Sequence, residues 1–238
     1  MTTSEIAIII ITAFIAPYVI FLMVRCYLTP KLTAHYEHKE PMARRSSRSI
    51  NKKPTGWRVY DFHFLVENEG RSKAEKVAAV VVEFWTDGGS GKLVKSEDFL
   101  PVPLRYTSED GKDIEAVDVH PSRPYYWNIG DIYPPYAQED WVKEVIFDDL
   151  GKEIEGHLFR LDLYKPPYNQ AQALQKGTYG IKVVLYSENA KPAEILLTIR
   201  WSGNWTPKER EMLEKKIKIE KVQSFEKVQL SENAQPSD

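Results

Sequence analysis

Cysteine is almost absent from this chain: Cys26 is the single one among 238 residues. One thiol excludes an internal disulfide framework and a Cys-rich zinc or iron–sulfur site. Phosphate loops and nucleophile elbows are missing as well. The run Gly88–Lys92 has no Walker spacing and no Ser or Thr after its lysine, so it reads as a hairpin turn. No G-x-S-x-G is present to support a Ser-His-Asp enzyme. Neither sign of charge dominates: 32 Lys and Arg face 34 Asp and Glu, a net of −2 that argues against a general nucleic-acid binder. Five histidines are scattered. His35 and His38 have metal-like spacing only if helical, and no third ligand follows. No enzyme activity, metal or cofactor is expected.

What is present excludes a disordered chain: 42% hydrophobic and 12% aromatic residues, with six Trp and thirteen Tyr. Fifteen Pro and twelve Gly favour turns and strands over a helical bundle. The longest apolar run is Ile6 to Val24, interrupted only by Thr12, Pro17 and Tyr18. About twenty such residues in a helix span the hydrocarbon of a bilayer. Ser4 and Glu5 supply a cap and a negative charge at its start, and Pro17 is a possible kink that membrane helices tolerate. A cleaved signal peptide needs a basic first region, which MTTSE lacks. A transmembrane helix over 6–27, behind a short tail 1–5, is therefore expected.

Basic residues crowd after the span: Arg25, Lys31, Lys39, Arg44, Arg45, Arg48, Lys52 and Lys53, against Glu37 and Glu40. Lys and Arg beside a span stay on the cytoplasmic side. The rule puts the N-terminus outside and the C-terminal domain in the cytoplasm of a single-pass cell-membrane protein. The Asn204-Trp205-Thr206 sequon would then go unused. Residues 28–56 read as a basic, Ser-rich juxtamembrane linker, its charges lying on anionic headgroups or fixing topology. From 54 onward the balance reverses, with 24 Lys and Arg against 31 Asp and Glu.

Beyond Trp57 the hydrophobic period is two. Strands are expected at Val59–Glu67, Lys76–Thr86, Ile114–Val119, His157–Leu163, Thr178–Tyr186 and Glu194–Trp201. Several short strands with turns between them, and no helical period to supply crossovers, point to an antiparallel sandwich over 57–222. The fold class expected is mostly β, with a transmembrane helix in front and a short C-terminal helix behind. That helix starts from the capping box Thr206-Pro207-Lys208-Glu209. Ile217–Val222 then alternates like an edge strand, and 223–238 is a polar tail.

Gly177-Thr178-Tyr179 at a strand start is the setting for a tyrosine corner, with Tyr179, Ile181, Val183 and Leu185 on one face. Together with Asn68-Glu69-Gly70, Ala74 and Val77, this pattern resembles the CARDB-like and related immunoglobulin-like domains of prokaryotic membrane-anchored proteins. The resemblance implies an immunoglobulin-like fold and a binding role, without catalytic residues. Glu5 before an apolar helix also resembles the type IV pilin N-terminus, although the basic leader ending in Gly is missing.

The most unusual segment is Pro121 to Trp141, which sets Tyr125, Tyr126, Trp127, Tyr133, Tyr136 and Trp141 among four prolines. These aromatics form either a preordered binding surface or an inter-sheet connection that closes the sandwich. The expected function is a non-enzymatic interaction or scaffold module in a membrane complex. Its partners are the lipid bilayer and another membrane protein, not nucleic acid. The alternatives are a membrane-linked sensor of a small anion, using Arg105, Arg123 or Arg160, and an envelope-facing binding module or pilin-like subunit. A reporter active only in the cytoplasm, fused after Asp238, is expected to be active. Activity confined to an exported reporter would refute the charge argument.

Overall fold

The structure, a computed structural model, describes the chain except residues 1–11, 13–14, 51–52, 89–91, 108–112, 136–156, 166–172, 226–227 and 229–238. Helix α1 (Ala16–Leu28) leads into β1 (Leu32–His35), β2 (Ala43–Ile50), β3 (Lys53–Asn68) and β4 (Ala74–Asp87). Short strands follow: β5 (Leu93–Lys95), β6 (Val102–Pro103), β7 (Tyr106–Thr107), β8 (Asp113–Ile114) and β9 (Val117–Val119). Then come β10 (Tyr125–Ile132), β11 (Phe159–Leu161), β12 (Ala173–Leu174), β13 (Gly177–Tyr186), β14 (Ala193–Trp201) and β15 (Ile217–Val222).

These strands form two large antiparallel sheets and a separate two-stranded ribbon, β7-β8. The first runs β1-β3-β10-β11-β12, with β2 also on β3; the second runs β15-β14-β13-β4-β5, with β6 and β9 also on β4. Period-two alternation sends Phe62, Phe64 and Trp127 of the first sheet and Val81, Ile181 and Leu197 of the second into one shared core. Each such side chain, fully buried, contributes about 1.5–3 kcal/mol. The edges between the sheets are closed differently. On one side the backbone itself bridges Leu104 to Leu163, flanked by Arg105 N–H to Asp162 O at 2.8 Å and Tyr164 N–H to Pro103 O at 2.8 Å. On the other, side chains of the β1–β2 loop reach β15.

One rim of the fold is organised by Asn68, which is 3% exposed. Its Oδ1 accepts the Lys31 amide at 3.1 Å and the Gly70 amide at 3.0 Å. Its Nδ2 donates to Ser72 O at 2.7 Å and Val119 O at 3.0 Å. The Ser72 hydroxyl in turn donates to Leu28 O, the last residue of α1. Only glycine fits at position 70, because a Cβ there would lie 2.6 Å from Lys31 N, Pro30 Cα and Thr29 O. Asn68 thus ties the exit of α1 to both sheets.

The described residues hold only part of the expected transmembrane span, and other expectations are corrected. Among the described residues no helix is long and apolar enough to cross a membrane. α1 covers 13 residues, with Pro17 in its first turn, and most of the expected span before it lies outside the described residues. The stretch 28–56 is not a bare linker, because β1 and β2 lie within it and pair with β3. An edge strand tolerates the polar sequence ARRSSRSI, since β3 supplies its hydrogen bonds, Ala43 is buried and the Ser46 hydroxyl donates to Asp61. The strand expected over 114–119 divides into β8 and β9. The tail is not wholly free either: Phe225 is buried against Trp85, 5.2 Å between ring centroids, in space that a Cβ on Gly180 would fill.

Replacing Asn68 with Ala strands two amides and two carbonyls at a buried junction. It is expected to lower the unfolding free energy by about 2–4 kcal/mol in denaturant titration. A change below about 0.5 kcal/mol would show that water replaces the amide at no cost.

Candidate functional site

The aromatic segment is an inner strand rather than a connection, because β10 is paired by β3 on one side and β11 on the other. Tyr125 and Trp127 face the core and are buried, Trp127 packing on Tyr106 at 5.0 Å and Phe64 at 6.4 Å. Tyr126 and Tyr133 are half-buried, Tyr126 packing against the same core. Tyr136 and Trp141 lie outside the described residues. Of the four described aromatics, two are buried and two half-buried.

Beside Tyr133 is a buried cluster of charges. Register places Asp131 directly between Asp61 of β3 and Arg160 of β11. Arg160 forks onto Asp131, Nε to Oδ1 at 3.1 Å and Nη2 to Oδ2 at 3.0 Å, and also donates to the Tyr133 hydroxyl at 2.9 Å. Two residues along, Asp162 takes Asn128 Nδ2 at 2.8 Å and lies 3.3 Å from Arg105 Nε. Burial pushes the Asp162 carboxyl above its ordinary range, the nearby Asp131 charge adding to this. Burial works against the Arg160 charge, and the Asp131 carboxylate more than offsets it. Such a network fixes strand register and holds its groups in place; no metal-binding group of three or more His, Cys, Asp or Glu exists among the described residues.

The arginines expected to converge on an anion do not. Arg105 and Arg160 face aspartates, and Arg123 lies over the Tyr125 ring, 5.6 Å from its centroid. The two histidines of metal-like spacing separate too. His35 is 4.0 Å from Glu67, whereas His38 stacks on Phe62 and turns toward the C-terminal segment.

His38 closes the second edge of the sandwich. The Ile219 amide donates to Nδ1 at 3.3 Å, so Nε2 carries the proton and donates to Leu213 O at 2.9 Å. The Tyr36 hydroxyl lies 2.9 Å from Nδ1 and donates to the same nitrogen. Burial lowers the imidazole's proton affinity, outweighing the two carbonyls that favour the cation. Close by, Lys221 Nζ donates to Ala34 O at 2.9 Å.

Sequence reasoning missed a basic groove of about 350 Å³ at the rim opposite Asn68. Its floor is a row across the second sheet, where Arg200 of β14 sits directly opposite Thr178 on one side and Lys218 of β15 on the other. Its walls are Lys176 ahead of β13 and the turn Met212–Lys216, where the Ile217 amide reaches back five residues to Met212 O. That π-helical turn continues directly from one α-helical turn, Glu209–Glu211, so the expected short C-terminal helix runs to Lys216 with a π-helical second half. The Thr206 side chain accepts the Lys208 amide at 3.3 Å, but Lys208 is itself the N-cap and has no side-chain cap bond, so the expected capping box does not form.

No protein-family model matches this chain, and no curated protein matches it significantly. The described residues offer fixed charges and a cationic cleft.

Protonating His38 turns its Nδ1 lone pair into a second donor facing the Ile219 N–H. A histidine whose folded-state pKa is depressed stabilises fully above its unfolded value, near 6.5, and loses that contribution as pH falls below it. His157 is shifted in the same direction by burial, so substitution is needed to isolate His38. Melting temperature is expected to fall from pH 7 to pH 5, and less steeply in His38→Gln. Parallel curves would show that His38 is not the titrating latch.

Proposed function

We propose that this chain is a membrane-anchored, immunoglobulin-like β domain that acts by binding, as an interaction module within a membrane complex. The observation carrying this reading is α1, whose apolar side chains stand exposed among the described residues: Tyr18 is 61% exposed, Ile20 59%, Phe21 57% and Met23 66%. Contiguous apolar side chains on one helix are costly in water and at home in lipid. The apolar sequence continues back to Ile6, long enough in total to span a bilayer. Charge asymmetry then puts the β domain in the cytoplasm.

The immunoglobulin-like assignment draws support from Tyr179. Its hydroxyl donates to the Gln175 carbonyl at 3.0 Å, the bond of a tyrosine corner, and β13 continues from it into the core through Ile181, Val183 and Leu185. The full chain is expected to remain in the membrane fraction after alkaline carbonate extraction. A chain beginning at Thr29 is expected in the supernatant with an unchanged β-type circular dichroism spectrum. Release of the full chain by carbonate would overturn the anchor.

A further inference from the structure

The groove at the far rim carries a charge arrangement that folding alone does not explain. Arg200 and Lys218 are direct cross-strand neighbours, and like charges in that position destabilise a sheet. One carboxylate serves both: Glu220 lies 2.7 Å from Lys218 Nζ and 3.9 Å from Arg200 Nη1. Glu214, also in the lining, is engaged by Arg210 at 3.0 Å. Lys176, Lys215 and Lys216 complete the groove's charged lining, and among the described residues no carboxylate pairs with them. Five cations from four separate segments thus face one concave surface. Scattered solvated lysines would not need a groove, and a sheet built for stability would place an acid opposite Arg200.

We propose that this groove binds a small, soluble ligand bearing phosphate groups. A volume of about 350 Å³ lies at the small end of the range for small-molecule sites. A phosphate group offers close to two negative charges and three acceptor oxygens, which suits several converging cations better than a lone carboxylate. Arg200 supplies a planar fork for two of those oxygens, and the lysines supply mobile point charges around it. The same chemistry could be met by an anionic lipid headgroup. Position decides against that source. β13 and β14 run from the groove to the Asn68 rim, and the ten residues of β13 span about 30 Å. The exit of α1 is at that second rim, so the groove is held a strand's length from the anchoring bilayer. This choice of source rests on the anchor proposed above; the phosphate site itself does not.

The test uses the full chain in nanodiscs of neutral phosphatidylcholine, titrated with inorganic tripolyphosphate by calorimetry. Saturable binding is expected, weakened at least tenfold in Lys176→Gln/Lys216→Gln and unchanged in Lys191→Gln, a lysine of the β13–β14 turn at the opposite rim. Near-UV circular dichroism identical to the parent would show that the double variant is folded. Absence of saturable binding, or equal affinity in the groove variant, would overturn the site. In a second arm the same nanodiscs are sedimented with phosphatidylserine vesicles. Pelleting that depends on the groove lysines would overturn the soluble source. The carbonate extraction that tests the anchor involves none of these lysines, so either proposal can fail without the other.

Discussion

The carboxamide of Asn68 is the joint on which the layout of the molecule turns. A side chain that is both donor and acceptor can serve two amides and two carbonyls at once, and here those groups belong to the α1–β1 connection, the β3–β4 turn and the end of β9. Buried, with every polar atom engaged, it fixes where the helix leaves the domain. Gly70 makes the same point sterically, since the connection runs against its α-carbon. The helix therefore departs from one defined rim. Everything else on the surface acquires a position relative to it.

The two sheets are held at their edges by different physics. A backbone bridge at Leu104 and Leu163 resists pH and salt. The opposite edge relies on a neutral imidazole between the β1–β2 loop and β15, so that edge weakens when the ring gains a proton. β15 is also an outer strand, and its exposed Lys218 and Lys221 with Glu220 discourage another strand from adding there. Charge on the first sheet is used in another way. The Asp131–Arg160 fork and the Asp162–Asn128 bond hold adjacent strands in register, which matters most where the Asn128–Gly130 bulge shifts the pairing.

Where apolar alternation was strong, the sequence announced its structure. β4, β13 and β14 are long, β-branched and buried, and their ends fall within two residues of the expected ones. The tyrosine corner was legible because its parts are neighbours in sequence. β2 was not, because Arg and Ser carry no core signal and its strand state is supplied by β3. β10 was hidden by the prolines before it and by Asn128, Gly130 and Asp131 within it. The groove was the least legible feature. Arg200 and Lys218 become neighbours only through the register of β14 on β15, and Lys176 and Lys216 join them only once the Met212–Lys216 turn is in place.

The arrangement places the helix and the groove at opposite rims, and its most direct test is the distance of each rim from a bilayer. In a Cys26→Ser background reconstituted in nanodiscs, a donor dye attached at Lys191→Cys or Lys216→Cys reports energy transfer to an acceptor on the lipid headgroups. Lys191 follows Asn189, whose side chain bonds to Lys73 and Glu75 beside the Asn68 turn. Transfer is expected to be efficient from position 191 and weak from position 216, as a separation of about 30 Å requires. Equal transfer, or stronger transfer from position 216, would contradict a domain suspended from its Asn68 rim.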